Sequence, residues 1–233
     1  MSQIICRDVS LGYDGRVVCR GVDFSVKAGD YLCIVGDNGS GKSTLLKALL
    51  GLHAPISGEI IRGDGMTAGS IGYLPQQSEL QRDFPATVRE VTLSGCIGRL
   101  GRRFFYSNAD KILAHDCMRR LGICELADKP YSELSGGQQQ RTLLARSLCA
   151  AEKMLLLDEP VSGLDPTATA EMYETISALN RDLGITVIMI THDVLAALKY
   201  ASCVLCMSNV PRFYSSVEEY KASLLDSAQG GNA

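Results

Sequence analysis

The run Gly36-Asp37-Asn38-Gly39-Ser40-Gly41-Lys42-Ser43 constrains this chain more than any other feature. It satisfies the pattern GxxxxGK[ST] and lies between an apolar hexamer, YLCIVG, and KSTLLKALLGL, whose apolar residues recur at helical spacing. A strand must therefore turn into a helix here. The glycines let the backbone curl until successive N–H groups point into one concavity, and the following helix adds the positive end of its dipole. Such a concavity suits a phosphate. Binding is expected from Gly36, Asn38, Gly39, Ser40, Gly41, Lys42, Ser43 and Thr44. Lys42 should reach the β- and γ-phosphates of a nucleotide, and Ser43 should place its hydroxyl on Mg²⁺.

The rest of the chain has to supply a sheet for that strand. IICRDVSLGY and VVCRGVDFSV read as strands joined by a turn at Asp14-Gly15, and GEIIRGD and SIGYLPQQ as two shorter ones. Gly51 is placed to close the first helix. From about residue 82 the pattern turns helical: TVREVTLSGCIGRL, then NADKILAHDCMRRLGI with Asn108 or Asp110 as its cap, then GGQQQRTLLARSLCA. After residue 152 strands and helices alternate through MLLLDE, TATAEMYETISALNRDL, TVIMITH, DVLAALKYA and SCVLCMS. Buried strands separated by amphipathic helices imply a parallel sheet covered on both faces. The expected fold is thus an α/β core, residues 1–81 with 151–233, interrupted by a helical subdomain at 82–150 and carrying antiparallel strands at the N-terminus. The tail from Ser227 is expected to be disordered.

Asp158-Glu159-Pro160 follows four apolar residues. A carboxylate at the end of a buried parallel strand faces the ligand crevice. Asp158 is therefore a candidate to hold the Mg²⁺ hydration shell, and Glu159, one step on, to orient or deprotonate an attacking water.

Composition removes several classes. A 46% hydrophobic fraction supports a sizeable core, and a net charge of −3 with 21% charged residues is too balanced for a disordered chain. No apolar run approaches the roughly 20 residues of a bilayer span. The start, MSQIICRDVS, lacks the pattern of an export signal. A pI near 5.7 argues against a nucleic-acid binder. The nine cysteines are scattered and odd in number, so they read as buried thiols. The CxxC pair Cys203 and Cys206 lies in a strand-like run, SCVLCM, and is assigned to the core rather than to a redox or metal site.

Taken in order, these motifs resemble the nucleotide-binding subunit of an ATP-binding cassette (ABC) transporter, over nearly the whole chain. Leu134-Ser135-Gly136-Gly137-Gln138 is similar to the family signature LSGGQ. Gln76 in Tyr73-Leu74-Pro75-Gln76 is similar to the Q-loop glutamine, and Ser162-Gly163-Leu164-Asp165 to the D-loop. His192 is similar to the switch histidine, and Tyr13 to the aromatic residue that stacks on adenine. The resemblance implies a P-loop NTPase (RecA-like) core and hydrolysis of ATP with Mg²⁺ held by Ser43, Gln76 and Asp158. Catalysis would then rest on Glu159, His192, Lys42 and Gln76. It also implies a head-to-tail homodimer in which Ser135, Gly136, Gly137 and Gln138 meet the partner subunit's ATP. Asp165 would cross that interface, with helix capping ahead of Pro166 as a competing role. For Tyr13 a turn tyrosine packed on the surface is the alternative.

On its own physics, the signature is a second anion-binding helix start. One chain then carries two such helix tips and one Mg²⁺ site, which a symmetric pair would resolve. Only 92 residues separate Gly41 from Leu134, with no sustained heptads, which disfavours the DNA-repair members of the family, and a single cassette disfavours the translation type. The resemblance extends to the zinc/manganese importer branch in Gln77 to Gly98, above all Asp83-Phe84-Pro85-Ala86-Thr87-Val88 and Leu93-Ser94-Gly95. It implies integral membrane permease subunits, an extracytoplasmic substrate-binding protein, a place on the cytoplasmic face of the membrane and no nucleic acid. An importer of another substrate, such as an iron chelate, or a soluble ABC ATPase stays open. The basic-aromatic run Arg99 to Phe105 is read as a solvated helix junction, with anionic lipid or a partner as the other readings. After the last strand the family continues with a glycine turn and a further strand; Met207 to Phe213 has no glycine, so the layout there is open.

Overall fold

The computed structural model describes residues 2–13, 16–63, 65–76, 85–208 and 210–230, without the side chains of Tyr13, Ala68, Ala196, Ala197 and residues 227–230. The chain forms two compact units. One comprises Met1–Met66 and Thr186–Ala233, the other Thr67–Ile185.

In the first unit, β1 (Ser2–Tyr13) pairs antiparallel with β2 (Arg16–Lys27) on one side and β4 (Ser57–Arg62) on the other. A register shift between Cys6 and Val9 accompanies a left-handed backbone at Asp8, whose N–H donates to Asp23 Oδ1 at 2.9 Å. β3 (Tyr31–Gly36) lies between β7 (Thr186–Ile190) and β8 (Cys203–Met207), parallel to both. The first five residues of β3 and all of β7 are buried. Burial on both faces explains why these strands read as unbroken apolar runs rather than alternating ones. β9 (Arg212–Tyr214) adds antiparallel to β8. The helices are α1 (Lys42–Leu49), α6 (Val194–Tyr200) and α7 (Val217–Gly230), and Val217 and Tyr220 of α7 pack against Val35 of β3 and Val204 of β8.

In the second unit, β5 (Ile71–Leu74) runs parallel to β6 (Met154–Asp158). Residues 85–150 hold α2 (Val88–Ser94), α3 (Asn108–Arg120) and α4 (Gly136–Ala150), with only the bridge Thr87–Pro130 in extended pairing among the described residues. α5 (Pro166–Leu183) follows β6. The α/β class, the parallel pairs, the N-terminal antiparallel strands and the helical stretch all agree with the sequence reading.

Several details differ. The helix expected over 87–100 stops at Ser94 and resumes only as a short 3₁₀ turn, Ile97–Arg99, because Gly95, Gly98 and Gly101 punctuate it. The cap of α3 is Ser107, not Asn108; its hydroxyl accepts from Asp110 N while Asp110 answers from the third helical position. The tail expected to be disordered from Ser227 continues as helix to Gly230. A strand does follow β8 without any glycine turn. Cys203 and Cys206, three apart on β8, project to opposite faces and are no chelating pair. None of the nine cysteines is in a disulfide, and seven of them are buried. The turn at Asp14-Gly15, and residues Gln77 to Phe84 of the run compared with metal importers, lie outside the described residues. No helix among the described residues is long and apolar enough to cross a membrane.

Candidate functional site

In the first unit, β3 delivers the phosphate loop. Gly36 leaves the strand with φ 142°, and a Cβ there would overlap the Met207 carbonyl oxygen. Gly41 caps α1 at φ 95° with no side-chain hydrogen bond, and its missing Cβ would lie 3.2 Å from Val18. Both positions combine a left-handed backbone with close packing, so only glycine serves. The first N–H groups of α1 are thus left for a ligand rather than spent on a side-chain cap.

Lys42 is buried, and its ammonium donates to the carbonyls of Gly36 at 2.8 Å and Asp37 at 2.6 Å. These bonds fold the side chain back across the loop. The cation is therefore in place before any phosphate arrives, and the carbonyls are neutral partners that an anion can outcompete. Ser40 Oγ is buried with no hydrogen-bond partner among the described residues. An orphaned hydroxyl in the phosphate loop fits a phosphate oxygen as its missing partner. A cavity of about 430 Å³ opens beside the loop, lined by Val18, Cys19, Arg20, Asn38 and Ser40 among others. Tyr13 pairs with Arg16 at the end of β1; its side chain lies outside the description.

His192 belongs to the same unit. Thr191 N–H donates to the Ile34 carbonyl at 3.2 Å, which draws the end of β7 toward the exit of β3. His192 and the loop residues Gly36, Asp37 and Asn38 consequently line one cavity of about 390 Å³. Cys206 and Tyr220 complete its wall. Tyr220 was not singled out from sequence, and Cys206 was assigned there to the core, not to this cavity. The register pairing Val35 with Cys206 is what puts that thiol there, and no local motif signals it.

In the second unit, β6 ends at Asp158, which is 3% exposed. Its charge, after burial itself, helps push the Tyr73 hydroxyl up to about 12. Glu159 adopts φ 52°, a left-handed conformation that costs a non-glycine residue of order 1–3 kcal/mol. Gln76 Nε2 donates to Glu159 Oε2 at 3.0 Å. Two residues chosen separately from sequence are thus in direct contact. Ser135 caps α4, accepting from Gln138 N at 3.4 Å while Gln138 Oε1 accepts from Ser135 N at 3.1 Å. Ser135 and Gly136 remain exposed at this helix tip. Asp165 caps α5, with Oδ1 accepting from Thr167 N and Ala168 N at 3.0 Å each and Pro166 at the first helical position.

The donor chemistry suits a nucleotide with its magnesium. The hydroxyl of Ser43 and the carboxylate of Asp158 are hard oxygen donors of the kind Mg²⁺ accepts. Among the described residues no three His, Cys, Asp or Glu side chains gather into a site for another metal.

Comparison with known proteins agrees. The family model described as ABC transporter matches residues 19–162. A zinc import ATP-binding protein, ZnuC, from Ruegeria pomeroyi is 36% identical over 225 residues, covering 94% of this chain and 82% of the relative. A zinc uptake system ATP-binding protein, ZurA, from Listeria innocua is 34% identical, covering 97% and 91%. Among solved structures, a metal-chelate type ABC transporter in an inward-facing conformation superposes with a TM-score of 0.83 at 28% identity, covering 94% of this chain and 84% of that one. CbiO1 from Clostridium perfringens, part of the ABC transporter complex cbiONQ, superposes with a TM-score of 0.83 at 29% identity, covering 96% and 92%.

Proposed function

This chain belongs to the ABC transporter family as one of its ATP-hydrolysing subunits, and we propose that the work it drives is uptake of a divalent ion of the zinc or manganese type. The observation that carries the cargo is the near-full-length likeness to zinc import ATP-binding proteins. ATP-binding subunits of importers work with membrane permease subunits. We further assign an extracytoplasmic binding protein as partner and a peripheral place on the cytoplasmic face of the membrane. The ion itself would be handled by those partners and not by this chain.

The site residues then take these roles. Lys42 and the N–H groups of the loop hold the β- and γ-phosphates, with Ser40 Oγ as a further donor. Ser43 and Asp158, with Gln76, would hold Mg²⁺, which when bound neutralises charge on the phosphates. Glu159 orients the attacking water and takes its proton; Gln76 fixes the carboxylate by the bond it already makes. His192 senses the γ-phosphate. Catalysis is mainly charge stabilisation and alignment of an in-line water. Tyr13 stacks on adenine. Ser135, Gly136, Gly137 and Gln138 complete the site of a second copy, and Asp165 holds the approach to it.

Co-reconstitution with its permease and binding protein tests the cargo. ATP-driven uptake of zinc or manganese into proteoliposomes is the expected result, and ATP-driven uptake of a metal chelate without free ion would overturn it. That second cargo is kept as the alternative because of the likeness to the metal-chelate type transporter.

A further inference from the structure

The helix that begins in the phosphate loop ends against the strand that leads to Tyr13. α1 closes in a paired turn: Gly51 N donates to the Ala48 carbonyl and Leu52 N to the Lys47 carbonyl, each at 2.9 Å. These bonds satisfy carbonyls that a helix end leaves open, and they turn the chain back sharply. The next residue, His53, is half-buried. Its Nε2 lies 2.7 Å from the carbonyl oxygen of Gly12, the residue before Tyr13 at the end of β1. A carbonyl only accepts, so Nε2 carries the proton and donates it.

That bond acts on a rigid unit. The Gly12 carbonyl and the Tyr13 amide share one planar peptide group, so a donor that fixes the carbonyl also fixes the direction in which the chain enters Tyr13. The ladder is irregular at this point. The register of β1 against β2 shifts between Leu11 and Gly12, after which only Gly12–Val17 and Tyr13–Arg16 are paired. Such pairing constrains Tyr13 less than a regular ladder does. Packing is close here: a Cβ on Gly12 would overlap the Arg16 carbonyl oxygen and meet Ile56 Cδ1 at 2.9 Å. A second bond, from Ile56 N to the Ser10 carbonyl at 2.8 Å, holds the same segment against β1 further back along the strand. The docking of residues 53–56 on β1 therefore does not depend on His53 alone. The bond from His53 falls on the one peptide group next to Tyr13.

The result is a continuous path. The phosphate loop leads into α1, α1 into His53, and His53 through Gly12 to Tyr13. We propose that His53 is a positioning residue for base recognition, which sets the spacing at which the phosphate loop and Tyr13 meet one nucleotide. This rests on the reading of Tyr13 as the residue that stacks on adenine. A preset spacing reduces the ordering cost of binding. It acts on ground state and transition state alike, so its loss appears in KM and not in kcat.

Steady-state ATPase assays of the full chain test it, with Mg²⁺-tripolyphosphate as a competitor that has the phosphates but no base. His53→Ala should raise KM for ATP about fivefold, the effect of losing one net hydrogen bond, with kcat unchanged. The inhibition constant of tripolyphosphate should stay at the wild-type value, because the phosphate loop is untouched. A merely structural loss would weaken both ligands. His53→Gln keeps an N–H donor at similar reach and should bring KM back to within about twofold of wild type. Tyr13→Ala should also raise KM for ATP and spare tripolyphosphate, and adding His53→Ala to it should cost nothing further. An unchanged KM in His53→Ala, equal losses for ATP and tripolyphosphate, or a glutamine variant no better than alanine would overturn the proposal. A raised KM in Tyr13→Ala beside an unchanged one in His53→Ala would remove this proposal alone. An unchanged KM in Tyr13→Ala would remove the stacking role, and the proposal with it.

Discussion

Lys42 shows how far a single side chain can be placed by its neighbours. Its ammonium is buried in the loop it serves, against the carbonyls of Gly36 and Asp37. Removing it leaves those carbonyls facing a loop with no cation to draw phosphate in. Lys42→Ala should lower ATP turnover by about 10²–10³, the range for loss of one preorganised electrostatic contact. A steady-state ATPase assay with Mg²⁺ checks this, and turnover at the wild-type level would remove Lys42 from its role. The lysine, the glycines and the serine were legible because the loop is a backbone device that accepts few residue types at fixed spacing. The conformation of Glu159 was not. Its left-handed φ has no sequence signal, since asparagine or glycine would be the usual occupants. Nor did sequence show that Gln76, 83 positions away, reaches the same carboxylate.

At the scale of elements, three helices of the second unit begin with the same reciprocal cap: Thr87 with Glu90, Ser107 with Asp110 and Ser135 with Gln138. The sequence pattern S-x-x-D was present at Ser107, and weighing it would have placed the start of α3 correctly. Asp110 does more than cap. Its hydrogen bonds to Ser107, and then the Arg103 guanidinium, hold its carboxyl at about 2, below the ordinary carboxylate range. A lowered folded-state pKa gives stability that is complete above the unfolded value and lost as pH falls through the folded one. Thermal unfolding should therefore lose this contribution between about pH 4 and about pH 2, and Asp110→Asn should flatten that part of the profile. Ser107→Ala should lower stability by about 1 kcal/mol, a shift of roughly 2–4 °C in Tm for a chain of this size. An Asp110→Asn variant whose profile matched wild type across that window would contradict the assignment. Where α2 stops was harder to read than where α3 starts, because glycine lowers helix propensity by degrees whereas a cap is a specific bond.

For the whole molecule, the division of parts is the informative fact. The phosphate loop and His192 belong to one compact unit; Asp158, Glu159, Gln76, Ser135 and Asp165 belong to the other. Each unit ends in a helix tip suited to phosphate, α1 behind Gly41 and α4 behind Ser135. The proposed head-to-tail pair uses both tips on the same triphosphate, one from each copy. Such a pair closes only while nucleotide neutralises the donors that face it, so ATP acts as a ligand of the closed state and shifts the population toward it. Hydrolysis then has to reopen it. Glu159→Gln keeps the shape of the side chain but removes the base, which should slow turnover by about 10²–10⁴. Nucleotide then persists, and the closed pair with it. Gel filtration of that variant with Mg²⁺-ATP should show a dimer that dissolves when nucleotide is removed, while wild-type protein returns to monomer as ATP is consumed. If the variant binds ATP yet elutes as a monomer, the exposed tip of α4 meets no second nucleotide, and the signature serves its own helix alone.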